Sequence, residues 1–241
     1  MRKKIILTVF ILLLGTAGNA YCGFFDNLFK SLTQSETVSS ELSESTIISG
    51  LKEALSVGTR NAVSTVSQLD GYFGNQNIKI PMPEKLQTIT TMLGSVGFQQ
   101  QVDDFILSMN RAAERAAPEA TSLLVDAITR MTITDAKNIL NGGDTAATDF
   151  FRAKTTDQLF ELFKPVIVST MDEVGVTRYY RLLMNQYESL PFASMVNVDL
   201  DTYVTNQALD GLFYMVAQEE KKIREDPGAR VTEILETVFG K

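Results

Sequence analysis

The alanine-rich stretch MNRAAERAAPEA carries the polar side chains whose types and spacing best suit a binding site. Glu114 follows Asn110 by one helical turn, and Arg111 lies on the same part of the helix surface. A guanidinium group can bind a ligand carboxylate or phosphate through two parallel hydrogen bonds. The simpler interpretation is surface ion pairing, of Arg111 with Glu114 and of Arg115 with Glu119. The stretch therefore predicts either the wall of a ligand pocket or a charged surface.

The loop DGYFGNQNIKIPMP supplies a second set of polar side chains. Calcium accepts oxygen ligands of the kinds found here, but the loop lacks the regular acidic spacing and the closing Glu of an EF-hand. Turn formation is therefore the favoured role, and we predict no metal site. Together the helix and the loop form the predicted ligand or partner surface, which consists of Asp70, Tyr72, Asn75, Lys79, Asn110, Arg111 and Glu114.

The chain contains no histidine and only one cysteine, which narrows the reactions it can perform. Nucleophilic systems that depend on histidine and imidazole metal sites are excluded. Paired carboxylates can catalyse hydrolysis without histidine, so a hydrolase using Glu114 or Asp70 as acid or base is the enzymatic alternative. We expect a protein that is not an enzyme and that uses no cofactor.

The first residues have the layout of a secretory signal peptide: basic residues, then a short apolar run, then small residues. The apolar run is too short to span a bilayer, which takes about 20 residues. Cleavage after residue 20 or 22 would place the protein in the periplasm. The alternative is a lipoprotein anchored through Cys22, although Asn19 and Tyr21 depart from the usual lipoprotein pattern.

Residues 23–32 predict a short amphipathic helix, followed by a flexible tether rich in Ser, Thr and Glu at 33–46. Its apolar face could lie in a membrane interface, bind a groove on a partner, or fold back on the protein. The residues expected to make that contact are Phe24, Phe25, Leu28 and Phe29.

The net charge of −7 argues against nucleic acid as a partner, because phosphates require clustered Lys and Arg. The partners that remain are another envelope protein, a small molecule or a lipid. We therefore expect an acidic binding or scaffold protein of the cell envelope. A purely structural spacer, tethered through residues 23–46, is a further alternative.

Residues 47–241 predict one helical domain of about ten helices without significant sheet, so the fold class is all-α. Apolar residues recur at helical spacing from Ile47 onwards. The capping signals that mark helix starts include Asp144, Thr155 with Gln158, and Asp199 or Asp201.

Several long stretches carry a resemblance to a known family. They are GLKEALSVGTRNAV, DGYFGNQNIKIPMPEKL, MNRAAERAAPEA, MTITDAKNILNGGDTAATDFF and YVTNQALDGLFYMVAQEEKKIREDPGARVTEILETVFG. Over nearly all of residues 46–241 the chain resembles the bacterial domain-of-unknown-function family numbered 4197. The resemblance implies a helical, exported protein and brings no agreed activity, substrate or site residues.

Overall fold

The computed structural model describes residues 44–189 and 198–225, and every regular element in these ranges is helical. The all-α prediction is therefore confirmed for this part of the chain. The predictions for the signal peptide, Cys22, and the docking segment with its Phe and Leu residues fall outside the described residues, as does the end of the predicted helical domain after residue 225.

The described chain forms eight α-helices, and a loop of residues 67–83 separates the first two. A π-helical segment, Gly94–Phe98, joins α2 to α3, and a 3-10 turn, Ala117–Glu119, joins α3 to α4. The bounds are α1 Glu44–Val66, α2 Glu84–Leu93, α3 Gln99–Ala116, α4 Ala120–Thr129, α5 Ile133–Leu140, α6 Ala146–Val174, α7 Val176–Glu188 and α8 Leu200–Glu225. In the residues described, no helix is both long and apolar enough to cross a membrane.

The predicted count of about ten helices is wrong, because the eight α-helices join into only six uninterrupted helical runs. One predicted break, a capping box at Thr155, lies inside α6. The Thr155 hydroxyl is buried and donates to the carbonyl of Phe151 at 2.7 Å, so it bonds back within the helix instead of starting a new one. The same helix also runs through Pro165.

The predicted tether extends too far, because α1 begins at Glu44 and so includes the last three residues assigned to it. The Ser49 hydroxyl donates to the carbonyl of Ser45 at 2.9 Å within this first part of the helix.

Helices α6 and α8 are the centre of the packing. They lie against each other, while α1 packs on α8 and α3 packs on α6. Each buries large apolar side chains, and full burial of one such side chain stabilises the fold by about 1.5–3 kcal/mol. The largest aromatic side chains that are fully buried are Tyr72, Phe105, Phe151, Phe163 and Phe213.

Helix α8 begins where the sequence predicts, because Asp199 caps its first turn. The Asp199 carboxylate accepts from the backbone N–H of Thr202 at 3.0 Å. Hydrogen bonds from Thr202 lower the pKa of Asp199, because they favour the ionised carboxylate. The prediction of a cap at Asp199 is thus confirmed.

Helix α6 is capped from elsewhere in the chain, and the prediction that Asp144 caps it is wrong. Thr145 occupies the N-cap position without a side-chain capping bond. The carboxylate of Glu220, on α8, accepts from the backbone N–H groups of Ala147 and Thr148, each at 2.9 Å, and from the Thr148 hydroxyl at 2.9 Å. These bonds satisfy backbone donors that the first turn of any helix leaves free.

Glu220 is 4% exposed, and its charge is balanced by Arg224 one turn further along α8. The Arg224 guanidinium donates to the Glu220 carboxylate at 2.8 Å and to the carbonyl of Ile139 at 2.9 Å. A buried carboxylate is tolerated only when paired and hydrogen-bonded, and both conditions hold. This group of contacts joins α8 to α5 and α6.

Replacing Glu220 by alanine should lower the free energy of unfolding by about 3–5 kcal/mol. The change removes the cap of α6 and leaves Arg224 without its buried partner. The midpoint of urea denaturation, monitored by circular dichroism, measures the effect. The control is Glu225→Ala, since Glu225 is exposed and lies 3.7 Å from Lys221. The control should change the stability by no more than about 0.5 kcal/mol. Equal effects of the two substitutions would contradict a capping role.

Candidate functional site

The predicted site residues on α3 and in the loop before α2 come together around Arg111. Its guanidinium donates to the Glu114 carboxylate at 2.6 Å and to the Asp70 carboxylate at 2.7 Å. The predicted ion pair of Arg111 with Glu114 is therefore confirmed. It is not a surface pair, however, because Glu114 is only 4% exposed. The second predicted pair is wrong, since Arg115 instead binds Glu173 of α6 at 2.8 Å.

Glu114 also holds the backbone of the loop. Its second carboxylate oxygen accepts from the N–H groups of Tyr72 and Phe73, at 3.2 and 3.3 Å. The chain turns sharply just before these residues, where Asp70 adopts a positive φ of 64°. Asp70 is exposed and reaches back to Arg111, so the turn and the ion pair support each other.

Asn110 fastens the far end of the same loop. It is fully buried, and its side-chain oxygen accepts from the N–H of Ile80 at 2.8 Å. Its amide nitrogen donates to the carbonyl of Ile80 at 2.9 Å and to that of Ile106 at 2.8 Å. The side chain thus satisfies both backbone groups of Ile80, as a neighbouring strand would.

Tyr72 links the loop to α8. Its side chain is fully buried, and its hydroxyl donates to the carbonyl of Ala208 at 2.7 Å. Burial raises the pKa of Tyr72, and the charge of Glu114 raises it further, so the hydroxyl keeps its proton and remains a donor. We call these contacts of Asp70, Tyr72, Asn110, Arg111 and Glu114 the loop clasp.

The loop clasp contains the charged side chains that were predicted to act in catalysis or ligand binding, namely Asp70, Arg111 and Glu114. Partial burial opposes the charge of Arg111, but its hydrogen bonds to Glu114 and Asp70 outweigh this and raise its pKa. Both carboxylates accept from this permanently charged guanidinium. The geometry assigns them to holding the loop in place.

The two other predicted residues, Asn75 and Lys79, lie further along the loop. The Asn75 side-chain oxygen accepts from the N–H of Asn77 at 3.1 Å, which is the turn-forming role expected of it. Its amide nitrogen lies 3.6 Å from the sulfur of Met215. The Lys79 ammonium lies 4.0 Å from the centre of the Phe73 ring. Within residues 44–189 and 198–225, no three or more His, Cys, Asp or Glu side chains are grouped so as to hold a metal ion.

A cleft of about 420 Å³ opens beside the clasped loop, between residues 77–79, the first half of α6 and the middle of α8. We call it the α6–α8 cleft. Its charged lining residues are Lys79, Asp149, Arg152 and Asp210. Its uncharged polar lining includes Asn77, Gln207 and Tyr214.

The charged groups of the α6–α8 cleft interact with one another or with neighbouring side chains. Arg152 binds Asp210 at 2.8 Å, and its guanidinium carbon lies 4.7 Å from the centre of the buried Phe213 ring. Asp149 accepts a hydrogen bond from the Thr145 hydroxyl at 3.2 Å. The ion pair joins α6 to α8 across the cleft.

The uncharged polar side chains of the α6–α8 cleft differ from the charged ones in their hydrogen bonding. In the described part of the chain, the side-chain amides of Asn77 and Gln207 and the hydroxyl of Tyr214 have no intramolecular hydrogen-bond partner. The Tyr214 side chain is among the larger hydrophobic side chains left exposed, at 37%. These groups are therefore available to a molecule that enters the cleft.

A second cavity, of about 450 Å³, lies where α4 and α5 meet α6. Leu123, Ala127 and Phe150 give it an apolar wall, and Arg130 and Lys154 line it as well. The Arg130 guanidinium is 83% exposed and lies 3.9 Å from Asp126. Its polar lining residues Thr132 and Asp135 bond to each other, with 2.6 Å between the hydroxyl and the carboxylate.

Sequence reasoning located the loop wall of the α6–α8 cleft, through Lys79, but missed its helical walls. Arg152 and Asp210 lie 58 residues apart, and neither forms a motif with its neighbours. The one local signal is Gly211, a glycine inside an otherwise regular helix. Its position is explained by the close approach of Tyr72 from the loop.

Replacing Gly211 by alanine should destabilise the protein by about 1–3 kcal/mol, because the new Cβ would lie 2.6 Å from the Tyr72 ring and 3.1 Å from Ile78. In a helix without such close neighbours, the same change stabilises the protein by about 0.5–1 kcal/mol. The sign of the change in stability therefore tells whether the loop packs closely against Gly211. Thermal and urea denaturation measure the effect.

Gly143→Ala is the control for this prediction, because a Cβ at Gly143 would meet nothing within 4 Å. We expect the control to stay within about 0.5 kcal/mol of the parent protein. Stabilisation by Gly211→Ala would show that the loop does not pack against α8 as described.

Comparison with known proteins identifies a family but adds no activity. A protein-family model described as "Protein of unknown function (DUF4197)" matches residues 41–240. No curated protein and no solved structure matches the chain.

Proposed function

We propose that this chain, which belongs to the DUF4197 family, is an exported binding protein of the cell envelope that holds a small polar ligand in the α6–α8 cleft. The observation that carries the proposal is the cleft itself. Its volume of about 420 Å³ lies within the range of small-molecule sites, and it presents polar groups that have no hydrogen-bond partner among residues 44–189 and 198–225.

The rigidity of the cleft walls supports the proposal. The loop wall is held by the loop clasp, whose Asn110 and Glu114 side chains are buried. The α6 wall is fixed at its start by the Glu220 cap, which binds the cleft residue Thr148 directly. A site whose walls are already ordered loses less conformational entropy when it binds its ligand.

The N-terminal pattern supports export. Basic residues at positions 2–4 precede a short apolar run and then small residues, which is typical of a secretory signal peptide. The acidic composition suits a freely diffusing protein better than one held on anionic lipid by charge. The expected compartment is the periplasm, with anchoring through Cys22 as the alternative.

Mass spectrometry of the protein isolated from its own envelope tests the binding function. The native mass should exceed the denatured mass by a discrete amount, which is the mass of the ligand. Arg152→Ala should remove or strongly reduce this difference, because Arg152 forms part of the cleft wall.

Arg115→Ala is the matched control for the native-mass experiment. Arg115 forms the same kind of exposed ion pair between helices, also at 2.8 Å, but does not line the cleft. The control should retain the bound mass. Identical native and denatured masses in the parent protein would contradict the proposal and direct attention to protein partners.

The denatured mass of the same sample tests export and anchoring. A chain that starts at Tyr21 or Gly23 is expected, because the signal pattern predicts cleavage after residue 20 or 22. A chain that starts at Cys22 and carries acyl groups would instead establish a lipoprotein. Retention of residues 1–20 in the envelope fraction would contradict a cleaved signal peptide.

A further inference from the structure

We infer that the ligand of the α6–α8 cleft is a neutral, polyhydroxylated compound, that is, a saccharide. This inference rests on the proposed function and names the ligand class for the same cleft. It follows from the way the polar groups of the cleft divide: the charged side chains already have partners, whereas Asn77, Gln207 and Tyr214 have no side-chain hydrogen-bond partner within the part of the chain that the structure describes.

The charged groups do not call for a ligand of opposite charge. Arg152 and Asp210 neutralise each other at 2.8 Å, and Arg152 also stacks on the Phe213 ring. Asp149 accepts from the Thr145 hydroxyl. The ammonium of Lys79 lies 4.0 Å from the Phe73 ring centre, a favourable cation–π distance. The lining therefore contains two positive and two negative groups, and its net charge is zero.

An ionic ligand would have to compete with these contacts. Asp210 binds one terminal nitrogen of Arg152, so a ligand carboxylate on the other guanidinium nitrogens would share the same cation and repel Asp210. A neutral ligand avoids this repulsion, because its hydroxyl groups can donate to Asp210 and accept from Arg152 while the ion pair stays intact.

The uncharged groups match a polyhydroxylated ligand directly. A side-chain amide offers donors on one atom and an acceptor on the other, and Asn77 and Gln207 supply one such amide from the loop and one from α8. Vicinal hydroxyl groups of a sugar likewise each donate and accept. A site built to hydrogen-bond hydroxyl groups rejects analogues that lack them, since its own polar groups would remain unpaired.

Tyr214 provides the apolar contact that such a ligand needs. Its side chain is 37% exposed and lines the cleft, and its hydroxyl has no intramolecular partner within the described residues. A sugar ring has C–H groups on one face that can pack on an aromatic ring, while its edges carry hydroxyl groups. Aromatic side chains with a polar tip suit interfaces that are partly apolar and partly wet.

The test is a titration of the mature protein, labelled with ¹⁵N, with probes of three ligand classes at equal concentration. The neutral saccharides are maltose, cellobiose and the N-acetylglucosamine disaccharide. The zwitterions are glycine and alanylalanine, and the anions are acetate and inorganic phosphate. At least one saccharide should shift the backbone amide signals of residues 77–79, 145–152 and 207–217, and the zwitterions and anions should not.

Substitutions at the cleft separate specific binding from general effects. Tyr214→Ala and Gln207→Ala should each weaken saccharide binding at least about tenfold, since each removes a direct contact. The matched controls are Tyr179→Ala, a partly exposed tyrosine on α7, and Asn206→Ala, an exposed neighbour of Gln207 on α8. Neither lines the cleft, and both should bind as the parent protein does.

The outcomes distinguish the inference from the proposed function. Shifts caused by a zwitterion or an anion, without any caused by a saccharide, would overturn the inference and leave a small-ligand function standing. Saccharide shifts that persist in Tyr214→Ala and Gln207→Ala would place binding elsewhere and overturn it as well. No shifts from any probe, together with a native mass free of ligand, would contradict both.

Discussion

The fold depends on finding partners for backbone N–H groups that would otherwise be buried without one. Two glutamates meet this need from inside the protein. Glu220 accepts from the first turn of α6, and Glu114 accepts from the loop at Tyr72 and Phe73. Each is balanced by an arginine one turn or less away on its own helix. An unsatisfied buried donor costs about 1–3 kcal/mol, so these carboxylates position both a helix and a loop that could not be buried without them.

The α6–α8 cleft lies between the two groups of contacts. One wall is the loop that Asn110 and Glu114 hold, and another is the first half of α6, where Thr148 both lines the cleft and donates to Glu220. The polar contacts that stabilise the fold are therefore also those that shape the cleft. This arrangement explains why the residues with the most obvious chemistry, on α3, are engaged in structure, while the free polar groups lie on α8 and at the tip of the loop.

Local patterns predicted what depends on neighbours in the sequence. Helical periodicity gave the fold class, and Asp199 and the pair of Arg111 with Glu114 act within one helical turn. Long-range contacts were not predictable in this way. Glu220 caps a helix whose first turn lies 73 residues earlier, so the sequence favoured the neighbouring Asp144 as the cap. Thr155 suggested a helix start, although its hydroxyl bonds back within α6. The α6–α8 cleft likewise depends on long-range contacts, such as the ion pair of Arg152 with Asp210.

The packing of Tyr72 on Gly211 has a consequence for how this family can vary. Fully buried as it is, the tyrosine ring occupies the space into which any larger residue on that face of α8 would project. We therefore expect the two positions to be coupled in evolution: a smaller side chain in place of the aromatic ring makes room for alanine at position 211, whereas either change alone leaves a void or a clash. Aligned relatives should show the two positions changing together, although they lie 139 positions apart in the sequence.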